Sequence, residues 1–171
     1  VMGTLSSTIR LHACCGASHW SQDALQKIVR PHGVNPEAIA QIDVEVPDFL
    51  MPMMPYDAPQ TGLEAKYSLQ YDLATIALDG KAGLHQYSDA AVQRPAARVL
   101  MDKVVIHRTN AGLASRVVVT LANGETLEET VTKTHGNPAD PLNRDEITGK
   151  FHECAEALIP LDQRERVIAI C

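Results

Sequence analysis

The sequence predicts an α+β fold, most simply a small antiparallel sheet covered by helices. Three observations lead to this prediction: an alternating apolar segment at 42–46, three later strand-like segments, and apolar residues at helical spacing before, between and after them. With 171 residues, 45% of them hydrophobic, we expect one α+β domain spanning residues 1–171.

The first half of the chain alternates helical and extended patterns. Apolar residues recur at helical spacing over 20–30, where Ser21 is expected to cap a helix and Pro31 to end it. Residues 42–46 alternate apolar with acidic side chains, which is typical of a half-buried strand. A further helix is expected over 64–78, before the Asp-Gly pair that ends it.

Between these elements, residues 47–62 hold four prolines and three methionines. The prolines oppose regular structure, and a loop of this length is unusual within a compact domain. The segment is either a surface loop packed down by its methionines or a lid or wall of a functional site.

The second half of the chain predicts a short helix, a group of strands and two closing helices. Asn123-Gly124 favours a tight hairpin turn, and Asn143 followed by Glu146 is typical of a helix start. The expected helices cover 95–101, 143–158 and residues after 161, and the expected strands cover 104–108, 116–121 and 126–133.

Composition excludes some classes of function. A net charge of −6 argues against nucleic acid as a partner, because phosphate binding needs a basic face. The four cysteines have no spacing typical of a disulfide framework, and we expect no leader and no membrane span, so a cytoplasmic location is predicted. Both ends of the chain look more like cuts than natural termini.

The segment from Arg10 to His19 concentrates groups that can bind and transform an anion. The planar guanidinium of Arg10 matches a carboxylate, and an imidazole such as that of His19 moves protons near neutral pH. Cys15 could assist or line the pocket. Structural alternatives are that the adjacent cysteines are buried small hydrophobes and that His19 caps the following helix.

A metal site built from this segment is a weaker alternative. Its ligands would be His12, Cys14, Cys15 and His19, with Cys154 joining only with difficulty. Zinc sites space their thiolates by two to four residues, so adjacent cysteines are poor ligands, and no metal is predicted.

A second polar segment runs from Lys66 to Tyr71. On one helix, Lys66 and Gln70 would lie one turn apart and present a cation and an amide to one substrate. The alternative is a solvated face opposite an apolar core stripe.

Together these motifs resemble the MmgE/PrpD family, specifically its C-terminal domain. The family's stretch, similar to Lys-x-Tyr-Pro-Cys-Cys-x-x-x-His-x-x-x-Asp-Ala, matches 10–24, and its Ala-Lys-Phe-Ser-Leu-x-Tyr segment matches 65–71. A Gly-x-Pro-x-x-Pro-Leu segment followed by Lys-Phe matches 136–151. The matches keep their order over most of the chain.

The resemblance implies a cofactor-independent and metal-free lyase or isomerase acting on a small di- or tricarboxylic acid by proton abstraction next to a carboxylate. Family activities include 2-methylcitrate dehydration, cis-aconitate decarboxylation and iminodisuccinate epimerisation. It also implies a helical N-terminal domain outside this chain, a homodimer, and little activity for the chain alone. The implied catalytic residues are His19, Lys66 and Cys15, and the implied substrate-binding residues are Arg10, Gln70 and Ser68.

Three departures from the family pattern bear on this expectation. Arg10 replaces a lysine and is a poor proton shuttle, because it stays protonated. His12-Ala13 replaces an aromatic-proline pair, and Cys15 occupies a position that holds histidine in some decarboxylating members, which weakens a decarboxylase assignment. A non-catalytic ligand-binding or interaction domain that retains the family fold is the alternative.

Overall fold

The computed structural model describes residues 8–110 and 112–170, so the expectations for residues 1–7 and Cys171 lie outside the described residues. Two compact units are present. The central unit is His12–Thr134, and the terminal unit contains the described residues 8–11 and 135–170. Strands and helices occur together in the central unit, and the predicted α+β class is confirmed.

The bounds of the helices and strands are as follows. The helices are α1 (His19–His32), α2 (Gly62–Ala65), α3 (Leu69–Asp79), α4 (Asp89–Val92), α5 (Pro95–Met101), α6 (Arg144–Ala155) and α7 (Leu161–Ile170). The strands are β1 (Ile39–Pro47), β2 (Val104–Thr109), β3 (Ser115–Leu121) and β4 (Thr126–Val131). Short 3₁₀ helices cover Gly16–Ser18, Pro36–Ala38, Asp48–Met53 and Leu84–Tyr87.

Helix α1 follows the predicted periodicity but not the predicted ends. Its apolar stripe is buried as expected, whereas Ser21 is not a cap: it lies inside the helix and bonds to Ser115 Oγ at 2.8 Å. Pro31 does not end the helix, which continues to His32 and stops at Gly33. Pro31 has no N–H, so the helix loses one backbone hydrogen bond there. This loss is tolerated because it falls in the last turn, where the helix already makes fewer backbone hydrogen bonds.

The sheet is mixed, with strand order β2-β1-β3-β4. Strands β1, β3 and β4 are antiparallel as predicted, but β1 and β2 run parallel, so the all-antiparallel expectation is wrong for this pair. The physical reason is the long connection over 48–103, whose helices let the chain return to the same end of the sheet. The Asn123-Gly124 turn joins β3 to β4, and Gly124 has a φ of +86°, which favours glycine.

Helices cover one face of the sheet. Ile42, Val44, Val117 and Val119 are fully buried, and α1 packs on β3 and β4 while α3 packs on β2. The opposite face carries charged residues: Asp43 bonds to His107 at 2.8 Å, and Glu45 bonds to Arg116 at 3.1 Å. The core therefore lies between the sheet and the helices.

The proline- and methionine-rich loop is more regular than predicted. Its first part forms the 3₁₀ helix Asp48–Met53, which continues through Pro52. Met51 and Met54 are buried, which is the packing role expected for methionine in an irregular loop. Phe49 and Met53 remain more than half exposed, at 61% and 52%. A lid or site-wall role for this loop stays a prediction.

The terminal unit contains residues 8–11, helices α6 and α7 and the turn that precedes α6. The predicted helix start is confirmed: Asn143 and Glu146 form a reciprocal capping box. Ile9 N donates to Gly136 O at 3.0 Å, and a Cβ on Gly136 would lie 2.0 Å from Ile9 O. With a φ of +89°, this position accommodates glycine and no larger residue.

Candidate active site

Hydrogen bonds between residues close in sequence fold the segment before α1 into a turn. Cys15 precedes the 3₁₀ turn Gly16–Ser18, and its carbonyl accepts bonds from Ser18 N at 3.2 Å and Ser18 Oγ at 3.0 Å. Cys14 and Cys15 are each 8% exposed. The segment thus holds both thiols at fixed positions directly before the first turn of α1.

Two imidazoles and a carboxylate form a buried cluster beside these thiols. His19 is the first residue of α1, and its ring meets the His12 ring edge to face, with centroids 5.1 Å apart. His12 Nε2 lies 2.9 Å from Asp23 Oδ1. Both histidines are 3% exposed. Asp23 therefore orients His12, and His12 in turn packs on the histidine predicted to handle protons.

The predicted helix over 64–78 is confirmed from Leu69 to its end at the Asp79-Gly80 pair, but it is wrong around Lys66, where the helix is interrupted. Helix α2 ends at Ala65, and α3 begins at Leu69 after Ser68, whose φ of −126° and ψ of 109° are extended. Consequently, Lys66 and Gln70 do not share one helical face. The break arises because Ser68 caps α3 instead of continuing α2: its Oγ accepts a hydrogen bond from Tyr71 N at 3.3 Å.

Cys15 and Lys66, two of the predicted site residues, meet through the main chain. Cys15 N donates to Lys66 O at 2.8 Å, and on the other side Tyr56 N donates to Tyr67 O at 3.3 Å. The Lys66 side chain is half-buried at this junction. The fold thus joins the cysteine segment, the Lys66 segment and the methionine-rich loop.

The predicted substrate-binding residues are distributed differently. Ser68 is fully buried and its hydroxyl caps α3, while Gln70 Nε2 donates to Asp57 Oδ1 at 3.0 Å. Arg10 is exposed and belongs to the terminal unit, whereas the other five predicted residues belong to the central unit. The roles of all six in substrate binding and catalysis stay predictions.

A buried polar network that includes Cys14, the residue before Cys15, was missed from the sequence. The Cys14 thiol donates to Gln22 Oε1 at 3.1 Å, Gln22 Nε2 donates to the Tyr87 hydroxyl at 3.4 Å, and Tyr87 donates to Asp72 Oδ1 at 2.6 Å. One signal in the sequence could have found it. Apolar residues lie on every side of the helical pattern over 69–78, and a polar residue on a helix buried all round needs internal partners.

Burial dominates the electrostatics of this network. It raises the pKa of Asp72 to about 8, although hydrogen bonds from Ser18, Tyr87 and Cys14 oppose the shift. Burial, and then the nearby Asp72 carboxyl, also raise the pKa of Cys14 and of Tyr87 well above their usual ranges. Cys14 is therefore a thiol rather than a nucleophilic thiolate at neutral pH.

The described residues contain no group of three or more His, Cys, Asp or Glu side chains placed to hold a metal ion. In the cluster, a hydrogen bond joins His12 to Asp23, and His19 contacts the His12 ring. Within 8–110 and 112–170, no helix combines the length and the apolar composition needed to cross a bilayer.

The fold and the site define an α+β domain in which a cysteine- and histidine-rich segment meets a lysine at a break between two helices. The chain belongs to the MmgE/PrpD family, because the family model for the MmgE/PrpD C-terminal domain matches residues 12–171. The family resemblance predicted from the motifs is confirmed.

Named relatives agree with this membership. The chain is 28% identical to cis-aconitate decarboxylase of Mus musculus and 26% identical to that of Homo sapiens, over 90% of the chain in each case. It is 25% identical, over 96% of its length, to the cis-aconitate decarboxylase-like protein oryM of Aspergillus oryzae. These alignments cover 34% to 37% of the relatives, so the chain spans about a third of their length.

Proposed function

We propose that the protein containing this chain is a lyase or isomerase that acts on a small polycarboxylic acid. The observation that carries the proposal is the Cys15–Lys66 hydrogen bond of 2.8 Å, which brings the two motif segments together at one junction. Relatives named cis-aconitate decarboxylase support a tricarboxylic substrate.

In the proposed reaction, a base removes a proton from a carbon next to a carboxylate, and cationic groups stabilise the negative charge that remains. Loss of hydroxide, which takes up a proton from an acid and leaves as water, then gives dehydration, and return of a proton to the other face gives epimerisation. In decarboxylation the loss of carbon dioxide itself leaves the negative charge on carbon, and an acid then protonates that carbon. Arg10 and Lys66 bind substrate carboxylates, and Lys66 also stabilises the developing charge. His19 handles or orients the proton, Cys15 forms the pocket wall, and Gln70 and Ser68 add hydrogen bonds.

The proposal includes parts of the protein beyond this sequence. The chain spans about a third of the length of its named relatives, so the remaining site residues are assigned to a helical first domain. We also propose that the complete protein is a homodimer. On this view, residues 1–171 act as the second domain and have little activity by themselves.

Proton NMR in deuterated buffer tests the proposed chemistry directly. The complete protein is incubated with citrate-, aconitate- and succinate-like acids, and the signal of each carbon-bound proton is followed. Loss of one such signal identifies proton abstraction and the substrate, and the product spectrum separates dehydration, decarboxylation and epimerisation. A folded protein that exchanges no proton in any of these acids contradicts the proposal.

Charge-removing variants test the assigned carboxylate-binding residues. Arg10→Ala and Lys66→Gln are each expected to lower kcat/KM by about tenfold or more, because a lost charge-assisted hydrogen bond has an effect of this size. The matched controls are Arg166→Ala and Lys27→Gln, which change exposed residues outside the junction. Unchanged kinetics in Arg10→Ala would remove Arg10 from the site.

A non-catalytic binding or interaction domain is the second candidate function. Two observations favour it: an arginine at position 10 cannot shuttle protons at neutral pH, and His19 is 3% exposed. An interaction domain of this kind is expected to show no proton exchange and no thermal stabilisation by polycarboxylates. Under the lyase proposal, a substrate at 100 times its Kd stabilises the protein by about 2.7 kcal/mol.

A further inference from the structure

We propose that Asp72 is a positioning residue of the candidate site: acting through Tyr87 and Gln22, it holds the segment that carries Cys15 and His19 against the start of α3. The functional part of this inference rests on the proposed function. Its structural part stands on the hydrogen-bond geometry of the central unit.

The network connects three separate segments of the chain. Asp72 lies in the first turn of α3, four residues after the Ser68 cap and close to the Lys66 junction. Tyr87 ends the 3₁₀ helix Leu84–Tyr87, and its hydroxyl bridges Asp72 Oδ1 at 2.6 Å and Gln22 Nε2 at 3.4 Å. Asp72 therefore reaches α1 through one tyrosine and one amide.

Gln22 connects Tyr87 and Asp72 to the cysteine segment by hydrogen bonds. Its Oε1 accepts a bond from Cys14 Sγ at 3.1 Å, and the single proton of the Ser18 hydroxyl is shared between Gln22 Oε1 at 3.3 Å and Cys15 O at 3.0 Å. Cys14 and Ser18, one before Cys15 and one after it, are thus held by one buried amide. His19, the residue after Ser18, begins α1 from the same fixed point.

Tyr87 is itself held from the opposite side. Gly62 N donates to Asp89 Oδ1 at 2.7 Å, and a Cβ on Gly62 would lie 1.9 Å from Tyr87 O, so α2 and the Tyr87 segment are in direct backbone contact. The tyrosine is clamped between α2 on one side and the Asp72–Gln22 pair on the other. A buried polar network with this many hydrogen bonds restrains the geometry of the segments that it joins.

The network works with Asp72 in its neutral form. Burial raises the pKa of Asp72 to about 8, so the carboxyl is mostly protonated at pH 7. The titratable groups coupled to Asp72 are Cys14 from the cysteine segment and Tyr87 from the 3₁₀ helix. Asp72 has a weaker effect on the pKa of Tyr71 on α3, which Arg94 and Asp79 influence more strongly. Since the folded pKa is raised, the stabilisation is complete below the ordinary aspartate pKa of about 3.9 and is lost as the pH rises through about 8.

Hydrogen–deuterium exchange of the amides of residues 12–19, measured by mass spectrometry, tests the positioning role without any substrate. Asp72→Leu and Tyr87→Phe remove the central bond and are expected to speed this exchange by about tenfold or more at pH 7. Ser21→Ala is the matched control, because it removes an equally buried bond of α1, to Ser115, outside the network. It is expected to leave exchange over 12–19 at the wild-type rate.

Asp72→Asn tests whether Asp72 acts in the network as a neutral acid or as a carboxylate. Asparagine keeps an oxygen that accepts from Tyr87 but cannot ionise, so the variant is expected to match the wild type at pH 7. After correction for intrinsic exchange, it is expected to keep protection at pH 9, where the wild type loses it. If the amides of residues 12–19 exchange as fast in Asp72→Asn as in Asp72→Leu at pH 7, the claim that Asp72 acts as a neutral acid is overturned.

The proposal is overturned if Tyr87→Phe and Asp72→Leu exchange like Ser21→Ala. Should Asp72→Leu fail to fold, Tyr87→Phe decides, because it deletes a single oxygen. In an active complete protein, Tyr87→Phe is expected to lower kcat about tenfold with little change in KM. If the wild-type protein is inactive but the variants show the expected exchange pattern, the proposed lyase or isomerase function is refuted and the positioning role is kept. Failure of the proposed function and failure of the positioning role are therefore distinguishable.

Discussion

The central and terminal units differ in how completely their helices bury their apolar residues. In α3, residues 71–77 are all buried, whereas none of the described residues of α7 is buried. Leu158 and Ile170 of the terminal unit are 84% and 85% exposed. The difference teaches that the hydrophobic stabilisation of the described residues is concentrated in the central unit, where the network around Asp72 also lies.

Matched leucine truncations give the largest contrast between the units. Leu73→Ala in α3 is expected to lower the free energy of unfolding by about 2–5 kcal/mol, because it leaves a cavity at a fully buried site. Leu161→Ala in α7 changes a side chain that is 59% exposed and is expected to cost less than about 0.5 kcal/mol. Urea denaturation of both variants measures the contrast, and equal losses would contradict the unequal division of stability.

Histidine–carboxylate contacts give a smaller contrast of the same kind. Asp23→Ala removes the buried 2.9 Å bond to His12 and is expected to cost about 1–3 kcal/mol. Glu165→Ala removes a more exposed 3.3 Å pair with His152 in the terminal unit, where screening by water limits the cost to less than about 1 kcal/mol. The same denaturation experiment at pH 7 compares them, and a larger loss in Glu165→Ala would reverse the comparison.

The pH dependence of the terminal unit is the smallest expected effect. Burial lowers the pKa of His135, but hydrogen bonds to Glu146 and Asp140 outweigh burial and raise it above the usual histidine range. A raised folded pKa means that this stabilisation is complete below about pH 6.5 and is lost as the pH rises through the folded value. Exchange protection of α6 amides, corrected for intrinsic rates, is therefore expected to fall over that range.

His135→Asn is expected to remove this pH dependence, because asparagine does not titrate. His32→Asn is the control, since it changes an exposed histidine of the central unit. If α6 protection in His135→Asn keeps the wild-type pH profile, the titrating group lies elsewhere.

The sequence predicted the features that local interactions decide. The capping box of Asn143 and Glu146, the Asn123-Gly124 turn and the alternation along β1 each depend on residues a few positions apart. The break at Ser68 was missed because the apolar pattern over 64–78 fits a continuous helix. The serine cap interrupts that helix without changing the pattern.

Long-range contacts account for what the sequence could not predict in the site. Motif matches named Cys15 and Lys66 separately, but their hydrogen bond depends on how two distant segments pack. Asp72, Gln22 and Tyr87 matched no motif, and their hydrogen bonds link positions 15 to 65 residues apart. The parallel pairing of β1 with β2 escaped prediction for the same reason, since the alternation of a strand does not reveal its partner.

The position of β1 in the sheet has a consequence for the growing chain on the ribosome. β1 pairs on one side with β2 and on the other with β3, and both partners are translated only after residue 103. While the intervening helices are synthesised, both edges of β1, which is apolar on one face, remain open, and open edges recruit foreign strands. Translation pauses over 48–103 are therefore expected to increase aggregation, and chaperone capture of the nascent chain is expected to peak before β2 emerges.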